Sequence, residues 1–252
     1  MTAQTGVAVV TGGGSGIGRS AALALAGAGW TVVVAGRRQD ALDAVVAEAF
    51  EFDGKVDAIR ADVSVEDDVR DLFDTTVDRH GRLDLLFNNA GVGAPPTDLD
   101  SISLDTWNQV MAVTVTGSFL CAREAFRVMR AQDPQGGRII NNGSISAYSP
   151  RPLSAPYTVA KHAVSGLTKQ IQLDGRPFGI ACGQLDIGNA ATSMGGGAAN
   201  GAQQADGTVR PEPTMDVADT GRAVLYMASL PAGTNVPSLT VMPTAMPFVG
   251  RG

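Results

Sequence analysis

The feature that most restricts the fold is a change from a strand-like run to a glycine-rich turn near the start of the sequence. The apolar run V7-A-V-V10 is followed by T11-G-G-G-S-G-I-G18 and then by a helix-like stretch. This order predicts a strand, a turn and a helix. Gly12, Gly16 and Gly18 allow positive φ angles and leave room for a pyrophosphate, which the free N–H groups of a helix start attract. The spacing G-x-x-x-G-x-G does not fit the fingerprint G-x-G-x-x-G in any register, so an ordinary glycine-rich turn is the alternative.

Strand-like and helix-like segments then alternate along the chain. The predicted strands lie near residues 7–10, 31–35, 56–60, 83–88, 138–142, 179–185 and 238–242. Near-continuous apolar runs such as T31-V-V-V-A35 are typical of parallel strands that helices cover on both faces. The sequence therefore predicts an α/β fold with one doubly wound, Rossmann-type parallel sheet of about seven strands, and a single domain over residues 1–252. Ligands of such sheets bind beyond the carboxyl ends of the strands.

A tyrosine and a lysine four residues apart give the strongest chemical signal. Tyr157 and Lys161 share one face of a predicted helix, and Ser144 lies 13 positions before the tyrosine. A free phenol titrates near ~10, too high for a good base at neutral pH, and a nearby ammonium stabilises the phenolate. Ser144 would add a hydroxyl donor to a substrate oxygen. Taken alone, the pair is weak evidence, because a tyrosine and a lysine four residues apart on a helix are usually an amphipathic surface pair.

Four parts of the sequence match one protein family in the right order. They are T11-G-G-G-S-G-I-G18, N88-N-A-G91, Ser144 and Y157-T-V-A-K161, which resemble the short-chain dehydrogenase/reductase family over nearly the whole chain. The resemblance implies a glycine loop that holds the cofactor pyrophosphate and catalysis by the serine, the tyrosine and the lysine. The residues it implies for cofactor binding are Gly12, Ser15, Gly16, Ile17, Gly18, Asp62, Val63, Asn89, Ala90, Gly91, Tyr157, Lys161, Ile187, Gly188 and Thr192.

Two positions depart from the pattern of that family. In I187-G-N-A-A-T192, an isoleucine replaces the usual proline before the glycine. In M111-A-V-T-V-T116, Thr114 replaces an asparagine whose backbone supports a water-linked proton relay from the lysine. A threonine keeps the backbone group but lacks the amide, and its hydroxyl can alter the local helix. A nucleotide-sensing protein without turnover is therefore an alternative, although the intact serine, tyrosine and lysine favour an enzyme.

The end of the second predicted strand indicates the cofactor. A carboxylate there would accept a hydrogen bond from the ribose 2′-OH of NAD, whereas an arginine would pair with the 2′-phosphate of NADP. The sequence is A35-G-R-R38, and Asp40 comes only at the start of the next helix. Arg37 is the predicted phosphate contact, with Arg38 in support, so NADP(H) is favoured and NAD(H) is possible. The alternative is a pair of solvated arginines and an NAD-dependent alcohol dehydrogenase of the same family.

Composition and charge exclude other classes of protein. Hydrophobic residues make up 44% of the chain and charged residues 17%, as in folded globular proteins. The net charge of −6 argues against a nucleic-acid partner. No apolar stretch reaches ~18 residues, so we expect no membrane span, no signal peptide and a cytoplasmic location. We expect no metal site, packed thiols at Cys121 and Cys182, and structural or surface roles for His80 and His162.

The expected reaction is reversible hydride transfer between NADP(H) and a carbonyl or alcohol carbon. The substrate segments near 93–98, 147–155 and 188–213 are rich in small and apolar residues, which indicates a small to medium carbonyl compound with an apolar portion. A flexible substrate loop is expected near 189–213, and its low-complexity part, 193–207, is interpreted as a lid, with a passive linker as the alternative. The family resemblance implies a homotetramer, with the apolar run 236–249 as a candidate interface.

Overall fold

The computed structural model describes residues 5–192 and 201–248. The strands are β1 (Val7–Thr11), β2 (Thr31–Gly36), β3 (Lys55–Arg60), β4 (Leu85–Asn88), β5 (Gly137–Asn142), β6 (Ile180–Ile187), β7 (Ala202–Gln203), β8 (Val209–Arg210) and β9 (Ser238–Val241). The α-helices are α1 (Gly16–Gly27), α2 (Gln39–Glu48), α3 (Glu66–His80), α4 (Leu104–Val110), α5 (Gly117–Ala131), α6 (Ala155–Gly175) and α7 (Val217–Ala228). A π-helical segment, Met111–Thr116, joins α4 to α5. Three 3₁₀ helices cover Leu99–Ser101, Ile145–Ala147 and Arg176–Phe178.

Seven strands form one parallel sheet in the order β3-β2-β1-β4-β5-β6-β9. The predicted Rossmann-type fold class is therefore confirmed. β1 lies between β2 and β4 in the sheet. The chain adds β2 and β3 on one side of β1 and then crosses to the other side to add β4, so the strand order reverses beside β1. The carboxyl ends of parallel strands leave a crevice at such a point.

Alternating side chains on the strands supply two apolar layers. Ala8 and Val10 of β1 pack in the layer that contains residues of α1 and α7. Val9 faces the opposite layer, which contains residues of α3, α5 and α6. Because both faces of the strands are buried, their sequences are nearly continuous apolar runs.

Several boundaries differ from the predicted ones. β4 begins at Leu85, two residues later than predicted. Asp84, just before it, is bonded to β1 both through its amide, which donates to the Val7 carbonyl (2.8 Å), and through its carboxylate, which accepts from the Val7 amide (2.9 Å). β6 continues to Ile187, which pairs in register with Val241 of β9. The sequence did not predict the antiparallel hairpin of β7 and β8. Part of the expected lid, residues 193–200, lies outside the described residues.

A buried arginine links the middle of the sheet to the turn after α7. Arg138 in β5 is 6% exposed, and burial lowers the pKa of its guanidinium. It donates to the carbonyl oxygens of Leu230 and Thr234 and to Asn235 Oδ1. Hydrogen bonds to backbone oxygens thus hold this cation in place.

Both cysteines are buried and free. Burial raises the pKa of the Cys121 thiol and of the Cys182 thiol to about 12 in each case. His80 Nε2 lies 3.0 Å from Asp57 Oδ2, and His162 Nδ1 lies 2.8 Å from the Thr158 carbonyl on its own helix. Within the described parts of the chain, no cluster of His, Cys, Asp and Glu could hold a metal. Nor is any helix there long and apolar enough to cross a membrane.

Candidate functional site

The glycine loop lies between β1 and α1. Gly12 and Gly16 have φ angles of +64° and +51°, a region that favours glycine. Because α1 begins at Gly16, the unpaired N–H groups of its first turn are available to an anion at the loop. Gly18 lies behind the loop: a Cβ on it would stand 2.2 Å from the Gly12 carbonyl oxygen. Because Gly18 has no side chain, α1 can pack closely against the turn.

Side-chain hydrogen bonds fix this loop to the end of β4. Thr11 Oγ1 accepts from the backbone amides of Asn89 (2.9 Å) and Ala90 (3.0 Å). In return, Asn89 Nδ2 donates to the carbonyl oxygen of Thr11 (2.8 Å). The ends of two neighbouring strands are thus held together by three hydrogen bonds.

The same network continues to the lysine. Asn142 Nδ2, at the end of β5, donates to Asn89 Oδ1 (2.8 Å), and Lys161 Nζ donates to the Asn142 carbonyl oxygen (2.7 Å). Lys161 is 5% exposed, and its Nζ lies 5.5 Å from the centroid of the Tyr157 ring. The sequence analysis did not identify Asn142. Its position as a polar residue ending a buried strand was the available signal.

Ser144 begins the 3₁₀ helix after β5. Its Oγ accepts from the Ser146 amide (3.1 Å), so the hydroxyl hydrogen remains for an acceptor in the adjoining cavity. This is the donor that a carbonyl or alcohol oxygen would need.

One cavity of about 600 Å³ brings most of the predicted site together. Its lining includes the predicted residues Gly12, Ser15, Gly16, Ile17, Asn89, Ala90, Gly91, Ser144, Tyr157, Lys161, Ile187, Gly188 and Thr192. Four other predicted residues, Gly18, Arg37, Asp62 and Val63, are not part of this lining. Gly18 supports the loop from behind, and Val63 is buried against Gly117 of α5.

A family model described as short chain dehydrogenase matches residues 6–202, and these carry the glycine loop, the serine, the tyrosine and the lysine. The chain belongs to the short chain dehydrogenase family. It is 38% identical to the 3beta-hydroxysteroid dehydrogenase of Mediterraneibacter gnavus, over 71% of this chain and 64% of that protein. It is 39% identical to the 3-oxoacyl-(acyl-carrier-protein) reductase of a Synechocystis species, over 77% of this chain and 78% of that protein.

Solved structures agree with this membership. The 3-ketoacyl-(acyl-carrier-protein) reductase of Brucella melitensis in complex with NADH is 25% identical, with a TM-score of 0.83 over 94% of this chain and 96% of that chain. A metagenomic short-chain oxidoreductase in complex with NADP is 26% identical, with a TM-score of 0.80 over the same shares. The protein is therefore a dehydrogenase/reductase that acts on alcohol or carbonyl groups with a nicotinamide cofactor.

In this short chain dehydrogenase, Arg37 directly follows β2, outside the main cavity. Its side chain is 62% exposed, and Nη1 lies 3.9 Å from Asp62 Oδ2. Burial by itself raises the pKa of the Asp62 carboxyl, but hydrogen bonds from Ser64 and the charge of Arg37 bring it below its usual value. Exposed ion pairs of this kind contribute little energy, so the guanidinium is available to an anionic ligand.

Thr114 lies in the π-helical segment, which packs against α6. It is 1% exposed, and its Oγ1 accepts from the Val92 amide (3.2 Å). The hydroxyl therefore holds the segment that follows Gly91. The contact that Thr114 Oγ1 makes lies outside its own helix, so the expectation that a threonine alters the local helix stays a prediction.

Arg151 and Asn189 form a second wall of the cavity and belong to a polar cluster that the sequence analysis missed. Arg151 Nη2 donates to Glu212 Oε2 and to Asn189 Oδ1, and Asn189 Nδ2 also donates to Glu212 Oε2 (2.8 Å). Gln204 Nε2 donates to Glu212 Oε1 (3.0 Å). The Glu212 side chain is only 2% exposed, so this carboxylate depends on its donors. The cluster connects the hairpin region to the end of β6.

Proposed function

We propose that this protein is an NADP(H)-dependent oxidoreductase that interconverts a carbonyl compound and an alcohol through Ser144, Tyr157 and Lys161. The observation that carries the proposal is the common cavity: all three residues line it together with the glycine loop. A substrate oxygen near Tyr157 would therefore lie in the same cavity as the glycine loop. Lys161 Nζ donates to the Asn142 carbonyl, and this hydrogen bond fixes the position of the ammonium group.

The residues fit a dinucleotide. The positive φ angles of Gly12 and Gly16 and the N-terminus of α1 make a turn suited to a pyrophosphate, with Ser15, Ile17 and Gly18 completing it. On the adenosine side we assign Asp62, Val63, Asn89, Ala90 and Gly91, and on the nicotinamide side Ile187, Gly188 and Thr192. A Cβ on Gly16 would lie 3.3 Å from Thr192 Cγ2, so both parts border one narrow cleft. When bound, the nicotinamide supplies or accepts the hydride.

The protein groups handle the proton. In the reductive direction, Tyr157 donates its phenolic proton to the oxygen of the carbonyl group as that oxygen gains negative charge. Ser144 donates a hydrogen bond to the same oxygen. The Lys161 ammonium stabilises the resulting phenolate by its positive charge. In the oxidative direction, the phenolate accepts the proton from the alcohol.

The preference for NADP(H) rests on Arg37. It follows β2 directly, it is largely exposed, and its only ion pair within the described ranges is the long contact with Asp62. A guanidinium in this position suits the 2′-phosphate, with Arg38 in support. The related solved structures contain NADH in one case and NADP in another, so NAD(H) is the competing outcome of the test.

The substrate is a small to medium carbonyl or alcohol with an apolar portion. The cavity lining includes the apolar side chains Pro96, Pro152, Leu153 and Ala202, which favour a substrate with an apolar skeleton. The names of two relatives, a steroid dehydrogenase and an acyl-carrier-protein reductase, agree with such a substrate class.

We further propose a cytoplasmic homotetramer built from one domain per chain. The exposed edge strand β9, within the apolar run 236–249, is the proposed subunit contact. Light scattering coupled to size-exclusion chromatography tests this state, and a monomer at micromolar concentration would contradict it.

The decisive experiment is Tyr157→Phe, assayed against a panel of ketones with NADPH and of alcohols with NADP⁺. We expect kcat to fall by a factor on the order of 10² to 10⁴, because phenylalanine cannot transfer the proton. The Kd for NADPH, measured by fluorescence titration, should change less than twofold. Lys161→Ala should both lower kcat and raise the Kd for NADPH.

The matched control is Tyr226→Phe, which removes a hydroxyl from an exposed tyrosine on α7, away from the cavity. It should leave kcat unchanged. Retention of most of the activity by Tyr157→Phe would refute the assignment. NADPH binding by the wild type without turnover of any compound would favour the nucleotide sensor.

A further inference from the structure

A carboxylate that the proposed chemistry does not use lies next to Ser144. Asp186, near the end of β6, is completely buried, and among the described residues it forms no ion pair. Four donors surround it instead: the Ser144 amide (2.9 Å) and Gln184 Nε2 (2.7 Å) at Oδ1, and the Tyr148 hydroxyl (2.9 Å) and Ser238 Oγ (3.4 Å) at Oδ2. A buried carboxylate is costly, so its retention here requires these donors.

Two of the donors belong to the same short turn. Ser144 and Tyr148 are the residues on either side of the 3₁₀ helix Ile145–Ala147. One oxygen of Asp186 accepts from the first of them and the other oxygen accepts from the second. The carboxylate therefore clamps both ends of the segment that carries the serine hydroxyl.

The residue before the serine is shaped for this contact. A Cβ on Gly143 would lie 2.1 Å from Asp186 Oδ1, so any side chain there would displace the carboxylate. The Gly143 amide also donates to the Leu185 carbonyl (2.9 Å), which adds a backbone bond beside the clamp. Gly143 and Asp186 thus fit each other, and the fit brings the carboxylate to the Ser144 amide.

The Tyr148 end of the clamp stays a donor. Its hydrogen bond with Ser238 by itself lowers the pKa of the Tyr148 phenol, but burial and the hydrogen bond and negative charge of Asp186 raise it above its usual value. The phenol is therefore protonated at neutral pH and keeps donating. Tyr148 as a whole residue is 57% exposed, so the hydroxyl contact, more than burial, fixes this end of the turn.

We propose that Asp186 is a positioning residue for the reaction: it clamps the segment Ser144–Tyr148 so that the Ser144 hydroxyl points at the reacting oxygen. This inference rests on the proposed role of Ser144 as the donor. Without the clamp, the Ser144 amide loses its acceptor. The backbone of Ser144 is then no longer fixed, and neither is the direction of the hydroxyl that it carries. Asp186 itself transfers no proton.

The test is a double-mutant cycle of Asp186→Ala and Ser144→Ala in the chain of residues 1–252. Alanine removes both acceptor oxygens, so both ends of the clamp are lost, whereas asparagine could keep an acceptor towards the Ser144 amide and donate to the Tyr148 hydroxyl. We expect Asp186→Ala to lower kcat tenfold or more, with the Kd for NADPH within twofold of the wild type. In the Ser144→Ala background, the same substitution should change kcat less than twofold, because the hydroxyl it positions is gone.

Multiplicative effects in the double variant, or an unchanged kcat in Asp186→Ala, would overturn the proposal while the serine role stands. An unchanged kcat in Ser144→Ala would refute the serine role itself, and with it the clamp. If Asp186→Ala does not fold, Tyr148→Phe removes one end of the clamp from a largely exposed side chain, and the same cycle applies. Tyr226→Phe is the matched control for Tyr148→Phe: it removes a phenol hydroxyl from another exposed tyrosine, away from the clamp, and kcat should stay within twofold.

Discussion

The two walls of the cavity are held by different kinds of interaction. On the cofactor side, the glycine loop is tied to the ends of β1, β4 and β5 through Thr11, Asn89 and Asn142, and several of these hydrogen bonds use backbone atoms. At the second wall, the hairpin region is connected to the end of β6 through the side chains around Glu212. The strand ends fix the geometry of the first wall, whereas a few polar side chains fix that of the second.

This difference means that the two walls can be changed separately. A substitution behind the glycine loop disturbs backbone positions and therefore affects both cofactor affinity and stability. A substitution in the Glu212 cluster disturbs the second wall, where Asn189 adjoins the proposed nicotinamide-side residue Gly188. Among the described residues, the glycine loop shares no hydrogen bond with this cluster. Affinity for the nicotinamide cofactor and KM for the substrate should accordingly respond to different residues.

The largest effect is expected from Gly18→Ala. The new Cβ would stand 2.2 Å from the Gly12 carbonyl oxygen and 2.7 Å from Asn89 Nδ2, so the loop must move. We expect the Kd for NADPH to rise at least a hundredfold and the free energy of unfolding to fall by about 1–3 kcal/mol. Titration of NADPH fluorescence and chemical denaturation measure the two quantities.

The control for that substitution is Gly27→Ala at the end of the same helix, where a Cβ would meet nothing within 4 Å. It should leave the Kd unchanged and be neutral or slightly stabilising. Equal behaviour of the two alanine variants would show that the wall does not depend on close packing at Gly18.

Arg37→Asp should act on cofactor choice alone. It removes a charge-assisted contact worth about 1.5–3 kcal/mol and places an anion near the 2′-phosphate, so the ratio of kcat/KM for NADPH over NADH should fall at least tenfold. Arg70→Asp on α3 changes the net charge equally at an exposed ion pair and should leave the ratio unaltered. A wild-type ratio well below one would instead support the NAD-dependent alternative.

Glu212→Gln should affect the second wall. The amide cannot match the charge of Arg151, so we expect KM for the most active ketone of the panel to rise about threefold to tenfold, or ~0.7–1.4 kcal/mol. The Kd for NADPH should remain within twofold. A parallel rise of both constants would contradict the independence of the walls.

The smallest effect is expected from Arg210→Ala in the same hairpin. Arg210 pairs with Asp206 at the surface, and both side chains are exposed. Such pairs contribute at most about 0.2–1 kcal/mol, so KM and the midpoint of thermal unfolding should hardly change. A large increase in KM would show that the whole hairpin surface, and not the buried Glu212 cluster, shapes the wall.

The two walls also differ in how far the sequence predicted them. The glycine loop and the seven strands follow from apolar periodicity and turn chemistry, which are local properties of the chain. The Glu212 cluster joins residues up to 61 positions apart, and Asp186 meets an amide 42 positions away. Local patterns carry no information on which distant polar groups meet. The π-helical segment Met111–Thr116 was not predicted either, because the apolar periodicity of a π-helix resembles that of an α-helix.

The contacts of Arg138 have a consequence for the order of events during protein synthesis. β5 leaves the ribosome long before its guanidinium partners, which follow 92 to 97 positions later. Until the turn around residues 230–235 has been translated, enclosing this arginine would leave a cation without acceptors, so the nascent chain must keep it hydrated. The centre of the sheet is therefore completed only after its final helix has been made, and a chain released before residue 230 would retain a solvated gap beside β5.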